Sequence, residues 1–154
     1  MTPLRAERIR WWKSLSVALP LAAALALAGC EPERSDPRPP PLTVPELLER
    51  FTASYQAKDA RAIAGMCRFP FELDGVPLED AAQLRELLGN LFEEAGTYEA
   101  VELLEPEIAE AGDAVTVTGT LRVVDSLHGE SNTPFTIEAL REDGSWKATR
   151  FVRG

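Results

Sequence analysis

The chain holds only one histidine, His128, and two cysteines, Cys30 and Cys67, in 154 residues. So few soft ligands leave no Cys cluster and no His-rich set from which a transition-metal site is built. An Asp-x-Asp-x-Asp-Gly calcium array is missing as well. So are a glycine-rich phosphate loop and the Gly-x-Ser-x-Gly elbow of serine hydrolases. No metal and no cofactor is expected. Basic residues are also short, 16 against 25 acidic ones, for a net charge of −9. A surface of that sign repels phosphate backbones, which excludes nucleic acid as a partner. Internal repeats are absent.

What is present begins with an unusual first 30 residues. Arg5, Arg8, Arg10 and Lys13 form a basic head with Glu7 as its one acid, and 17 uncharged residues follow, Ser14 to Cys30. A basic head, a short apolar run and small residues at its exit are the parts of a secretory signal. The run falls short of the about 20 residues that usually span a bilayer, and Pro20 interrupts it. It closes on Leu27-Ala28-Gly29-Cys30, which resembles the lipobox of bacterial lipoproteins. That resemblance implies a diacylglyceryl group on the Cys30 sulfur, cleavage after Gly29, and a further acyl chain on the new amino terminus. Two or three chains meet the requirement for stable anchoring, which a single chain does not. Glu31, in place of aspartate, follows the cysteine; by resemblance to the sorting rule of lipoproteins in enteric bacteria, it implies an outer-membrane destination on the periplasmic face rather than inner-membrane retention.

Loss of residues 1–29 removes four basic and one acidic side chain, leaving 12 and 24, a net charge near −12. Anionic headgroups would repel such a chain, so the acyl chains on Cys30 are its contact with the membrane. With Cys30 acylated, Cys67 is the only thiol and reads as a small buried hydrophobe. Residues 30–43 form the lipidated cysteine and a tether. Five prolines lie between Pro32 and Pro41, and they favour an extended spacer of roughly 35 Å. Residues 44–154 are long enough for one domain with its own core.

Thr43-Val44-Pro45-Glu46 fits a capping box. The apolar stripe Val44, Leu47, Leu48, Phe51 and Tyr55 then predicts a first helix. Asp59 caps a short second helix carrying Ile63, Met66 and Cys67 inward. Phe69, Phe71 and Leu73 alternate as in a strand, with Pro70 restricted to an edge or to a position without a ladder bond. Asp74-Gly75 marks a tight turn into Val76-Pro77-Leu78. Asp80 caps a third helix with its stripe at Leu84, Leu87, Leu88, Leu91 and Phe92, ended by Gly96. Four strands follow, Tyr98 to Leu104, Ala114 to Val124, Thr133 to Arg141 and Ser145 to Val152. In the second of these, Val115, Val117, Leu121 and Val123 share one face and Thr116, Thr118, Thr120 and Arg122 the other. Gly119 there suggests a bulge or bend. Helices gathered before sequential strands give an α+β domain, with helices on one face of a curved, mostly antiparallel sheet.

Three stretches resemble the NTF2-like superfamily, which includes ketosteroid isomerase and the SnoaL-type cyclases. They are Phe51 to Asp59, Phe69 to Gly75, and Asp143-Gly-Ser-Trp146-Lys-Ala-Thr-Arg-Phe151. The resemblance implies a cone of three helices on a curved sheet, with a cavity between them, and often a homodimer through the sheet face. In the isomerases a tyrosine on the first helix supports the substrate oxyanion and an aspartate on the first strand removes a proton. Phe51 stands at the tyrosine position, where a phenyl ring cannot donate, and Tyr55 lies one turn on. Asp74 lies near the base position and is the candidate catalytic base, with Tyr55 or Arg122 as its polar partner.

Tyr55, Arg122 and Trp146 are the candidate ligand contacts. The rings can stack, and Arg122 can hold a carboxylate if its face lines the cavity; on a threonine face it reads equally as solvent-exposed. His128, in a loop beside Asp125, reads as exposed or as an acid/base group. Glu99, Glu102, Glu105, Glu107 and Glu110 read as a solvated surface. The expected function is a lipid-anchored envelope protein, non-catalytic, binding a small apolar ligand or a protein partner. An isomerase- or cyclase-type enzyme and an adaptor with no open cavity are the alternatives.

Overall fold

A computed structural model describes residues 40–154; the signal segment, the lipobox with Cys30 and most of the tether lie outside the described residues. The domain starts a little earlier than composition suggests. Leu42, read as tether, is buried, donates its N–H to Ser145 Oγ at 2.9 Å and accepts from the Trp146 N–H at 3.1 Å. Helix α1, Val44–Gln56, then opens on the complete capping box, with Thr43 and Glu46 each serving the other's amide. All five residues of its predicted stripe are buried. Asp59 caps α2, Ala60–Met66, through the Ala62 N–H, and Asp80 caps α3, Ala81–Glu94, through the amides of Ala82 and Gln83. Cys67 follows α2 as the first residue of a strand; burial pushes its thiol pKa up to about 12, so it packs as a hydrophobe.

The strands are β1 Cys67–Leu73, β2 Val76–Leu78, β3 Tyr98–Ala111, β4 Ala114–Asp125, β5 Gly129–Glu142 and β6 Ser145–Arg153. They form one sheet in the order β2-β1-β6-β5-β4-β3, antiparallel throughout except where β1 runs parallel to β6. Pro70 falls in the interval between Cys67 and Glu72 where the β1–β6 register shifts, a place without a regular ladder. Asp74 and Gly75 both take positive φ, 49° and 81°, the two-residue turn that the Asp-Gly pair favours.

Two strands outrun their predicted ends. β5 starts at Gly129 rather than Thr133, and β3 continues seven residues past Leu104 to Ala111. The far half of β3 is exposed on both faces, so it lacks the apolar alternation that marks a strand. The irregularity expected at Gly119 lies instead in its neighbour. The β3–β4 register shifts between Leu104 and Glu107, and a Cβ on Gly119 would sit 2.8 Å from the Leu104 carbonyl oxygen and 2.9 Å from the Phe135 ring. Glycine is required there because the bulge of β3 presses against it.

The helices cover one face of the sheet. Val115, Val117 and Leu121 of β4 are buried beneath them with Phe135, Ile137 and Phe151. The outer face is polar. Arg122 bonds Glu102 and Glu130 at 2.8 and 2.9 Å, and Arg150 bonds Glu72 and Glu138 at 2.9 and 3.1 Å.

Candidate functional site

Between the helices and the sheet, the predicted cone is almost filled. The space bounded by Phe51, Ile63, Phe71, Leu88 and Phe151 is about 10 Å³, room for about one water molecule. Aromatic rings occupy it: Phe51 and Phe151 lie 5.0 Å apart, and Tyr55 meets Phe92 edge-on at 5.3 Å.

Open room lies at the mouth instead, in a cleft of about 330 Å³. Leu91, Glu94 and Ala95 at the end of α3 form one wall. The tips of β4 and β5 form the other, with Asp125, His128, Ser131 and Thr133. Tyr55, Leu91 and Arg153 line both the cleft and the filled interior, so these three side chains are the partition between them.

Asp74 holds the partition from behind. Its Oδ1 accepts the Arg153 amide N–H at 2.8 Å, and its Oδ2 accepts Nε at 2.9 Å and also Nη2. Arg153 Nη1 donates to the Tyr55 hydroxyl at 3.1 Å. Burial is the largest single influence and works against the guanidinium charge, but the bond to Asp74 together with the charge interactions with Tyr55, Asp74 and Tyr98 exceeds it, and Arg153 stands above its ordinary pKa. Burial also raises the Tyr55 and Tyr98 hydroxyls above theirs, so both remain neutral donors. Asp74 lines neither space, and both of its oxygens are occupied by Arg153. A general base must reach a substrate proton; Asp74 opens onto neither space, and three bonds from Arg153 hold its carboxylate in place.

At the mouth itself, Asp125 is the one buried charged residue among the described residues. It accepts the Leu127 N–H at 2.7 Å and the Gly96 N–H at 3.1 Å, with His128 Nδ1 at 3.3 Å. The Leu127 bond leads in holding its pKa below the ordinary value; the His128 ring lowers it further. Asp125 thus ties the β4–β5 turn to the chain leaving α3. Across the cleft, Lys58 Nζ donates to the carbonyls of Phe92 and Ala95 at 2.7 and 2.8 Å, closing the C-terminal end of α3 with a cation.

Of the three expected ligand contacts, only Tyr55 reaches the cleft. Arg122 alternates with Leu121 and Val123, which face inward, and so projects from the outer face onto Glu102 and Glu130. Trp146 is buried at the other end of the sheet, beneath the Arg141 guanidinium at 4.7 Å. Sequence reasoning passed over Arg153, Tyr98 and Asp125. Arg153 had a usable signal, because it stands two residues after Phe151 and a strand returns to the same face at that spacing.

This geometry agrees with known structures in fold. An NTF2-like protein of unknown function from Pseudomonas putida is 14% identical, with 72% of this chain and 82% of that one covered, at a TM-score of 0.63. A putative aromatic ring hydroxylase from Novosphingobium aromaticivorans is 20% identical over 71% and 84% of the two chains, at 0.60. A protein with a ketosteroid isomerase-like fold from Catenulispora acidiphila, in complex with trimethylamine, is 13% identical over 73% and 86%, at 0.54. The fold is NTF2-like, three helices on a curled six-stranded sheet. At these identities the likeness is one of architecture, which serves binding proteins and enzymes alike. Neither a family model nor a curated protein matches the sequence.

Proposed function

We propose that this chain is a lipid-anchored, non-catalytic binding protein of the bacterial envelope, held by acyl chains on Cys30 and placed on the periplasmic face of the outer membrane. Its ligand is a small molecule taken up in the mouth cleft. The observation that carries the binding reading is the division of space. The interior, where acid/base chemistry would operate, is filled, and its one candidate base is bound to Arg153. The mouth combines the inward apolar surfaces of Leu91, Leu121 and Val123 with the polar ends of Tyr55, Tyr98, Ser131 and Thr133. A few convergent polar groups on an apolar wall are the usual make-up of a small-molecule site. The anchor rests on the sequence Leu27-Ala28-Gly29-Cys30 at the close of an uncharged run.

Native mass spectrometry of the protein extracted in mild detergent from its host's membranes tests both parts. The expected spectrum shows a chain beginning at Cys30 with acyl mass attached, and a further adduct that is lost on denaturation. A chain retaining Met1 and no acyl mass sinks the anchor. An acylated chain with no releasable adduct sinks the small-ligand reading.

A further inference from the structure

β3 is an edge of the sheet, and among the described residues no strand pairs with its free side. Two of the most exposed large apolar side chains lie on it, Leu104 at 37% and Ile108 at 44%. Ile108 pairs with Val117 and Leu103 with Leu121, which places both on the inner face of the sheet. There they meet α1. Leu103, Pro106 and Ile108 form one wall of a groove of about 320 Å³, and Pro45, Leu48 and Thr52 form the other. The groove continues the core outward, since Leu48 belongs to both.

The strand that forms one wall of this groove carries one sign of charge, with Glu102 and Glu107 on its outer face. β3 contains Glu99, Glu102, Glu105, Glu107 and Glu110 and not one Lys or Arg, and Glu49 adds a carboxylate from α1. Glu102 is paired with Arg122; Glu105, Glu107 and Glu110 form no ion pair among the described residues.

We infer that this groove is a docking surface for an extended segment of another protein, with apolar residues alternating with Lys or Arg. Successive side chains of an extended segment point to opposite faces. One set can therefore enter the groove against Ile108 and Pro106 while the other meets the glutamates. A second copy of the chain does not fit, because pairing two β3 edges sets glutamates opposite glutamates. Charge alone is a device for blunting an edge, but a blunted edge has no need of an apolar groove behind it. Pro106 and the register shift beside it interrupt the hydrogen-bonding edge, so side chains rather than a continuous ladder make the recognition.

The test is titration of the full chain with a fluorescent capped peptide of alternating Lys and Val, and with its Glu–Val counterpart, by anisotropy. The Lys–Val peptide is expected to bind and to weaken with added salt, while the Glu–Val peptide does not bind. Ile108→Asp decides between mechanisms, since it adds a negative charge while removing the apolar wall. Ile108 is partly exposed, so the variant keeps its fold, checked by circular dichroism. The docking groove predicts roughly tenfold weaker binding for this variant. Equal or tighter binding would show simple attraction to an acidic surface and overturn the inference. Failure of the wild-type chain to bind the Lys–Val peptide overturns it as well and leaves β3 as a blunted edge. Neither result bears on the mouth cleft, which shares no residue with this groove.

Discussion

Behind Arg153 the space between helices and sheet is about 10 Å³, whereas about 330 Å³ stand open in front of it. The two regions share Tyr55, Leu91 and Arg153, so the contrast does not come from a change of residue class at the boundary. It comes from the lengths of the elements. Behind the partition, α1, α2, α3 and β1 all project apolar side chains into the same volume, and they fill it. In front, α3 has already ended at Glu94, while β4 runs on to Asp125 and β5 begins at Gly129. No described helix reaches over those strand tips. The polar work at the mouth concerns chain ends, with Lys58 on the α3 carbonyls and Asp125 on the amides of Gly96 and Leu127.

The strongest way to break this contrast is to empty the interior. Phe151 is 2% exposed and packs on Phe51. Phe151→Ala is expected to cost about 3–5 kcal/mol, the usual range for removing a buried ring. Urea unfolding measures it, and a neutral apolar fluorophore should gain a binding site in the variant alone. A loss under about 1 kcal/mol would mean that the interior is not close-packed.

A smaller effect is expected from tightening the mouth. A Cβ on Gly96 would stand 2.5 Å from both Asp125 Oδ1 and Ser126 Oγ. Asp125 cannot swing aside, because three neighbours hold its carboxylate. Gly96→Ala should therefore cost about 1–3 kcal/mol by overpacking. Hydrogen exchange at the Leu127 amide should quicken with it, reporting the loosened turn.

How much of this was legible depended on whether a local pattern existed. Helix α1 could be read because Thr43 and Glu46 advertise a cap and the apolar residues after them share one stripe. The Asp74-Gly75 turn was legible for the same kind of reason, and with it the warning that Asp74 is a turn residue rather than a base. The far half of β3 was not, because Ile108 and Glu110 share one face and Glu107 and Ala109 the other. Neither face is buried there, so neither has to be apolar. The partition and the mouth depend on long-range partners: Asp74 with Arg153, Lys58 with Phe92, Asp125 with Gly96. Spacing along the chain carries no record of such pairs. Nor does it report that Phe51, Phe71 and Phe151 border one filled space, which depends on how side chains from three elements pack.

Acid sharpens the contrast further, since the mouth holds a buried carboxylate and the interior none. The folded chain keeps Asp125 below its ordinary value of 3.8. Its contribution to stability is therefore present above that value and is lost as pH falls through the lower, folded one. The urea midpoint of the wild-type chain should drop in the range below about pH 4. Asp125→Asn should lower the midpoint at neutral pH and flatten that drop. Glu46 and Glu130 are also held low, so the difference between the two pH curves is the quantity to read. Parallel curves would show that Asp125 is not the group that holds the turn.

The smallest effect is expected on the outer face, where another arginine makes three ion-pair bonds against the two that the guanidinium in the partition makes to Asp74. Arg122 donates to Glu102 and Glu130 through Nε, Nη1 and Nη2, and these bonds raise its pKa. Yet Glu102 and Glu130 have about half of their side chains in water, 52% and 50%, where ion pairs contribute little and salt screens them. Arg122→Ala should leave the urea midpoint within error at physiological salt and leave any ligand in the cleft in place. Arg153→Ala removes part of the wall between cleft and interior, so it should change both. If the two variants behave alike in ligand retention, the division of the molecule at Arg153 is wrong, and the binding surface has to be sought on the outer face of the sheet.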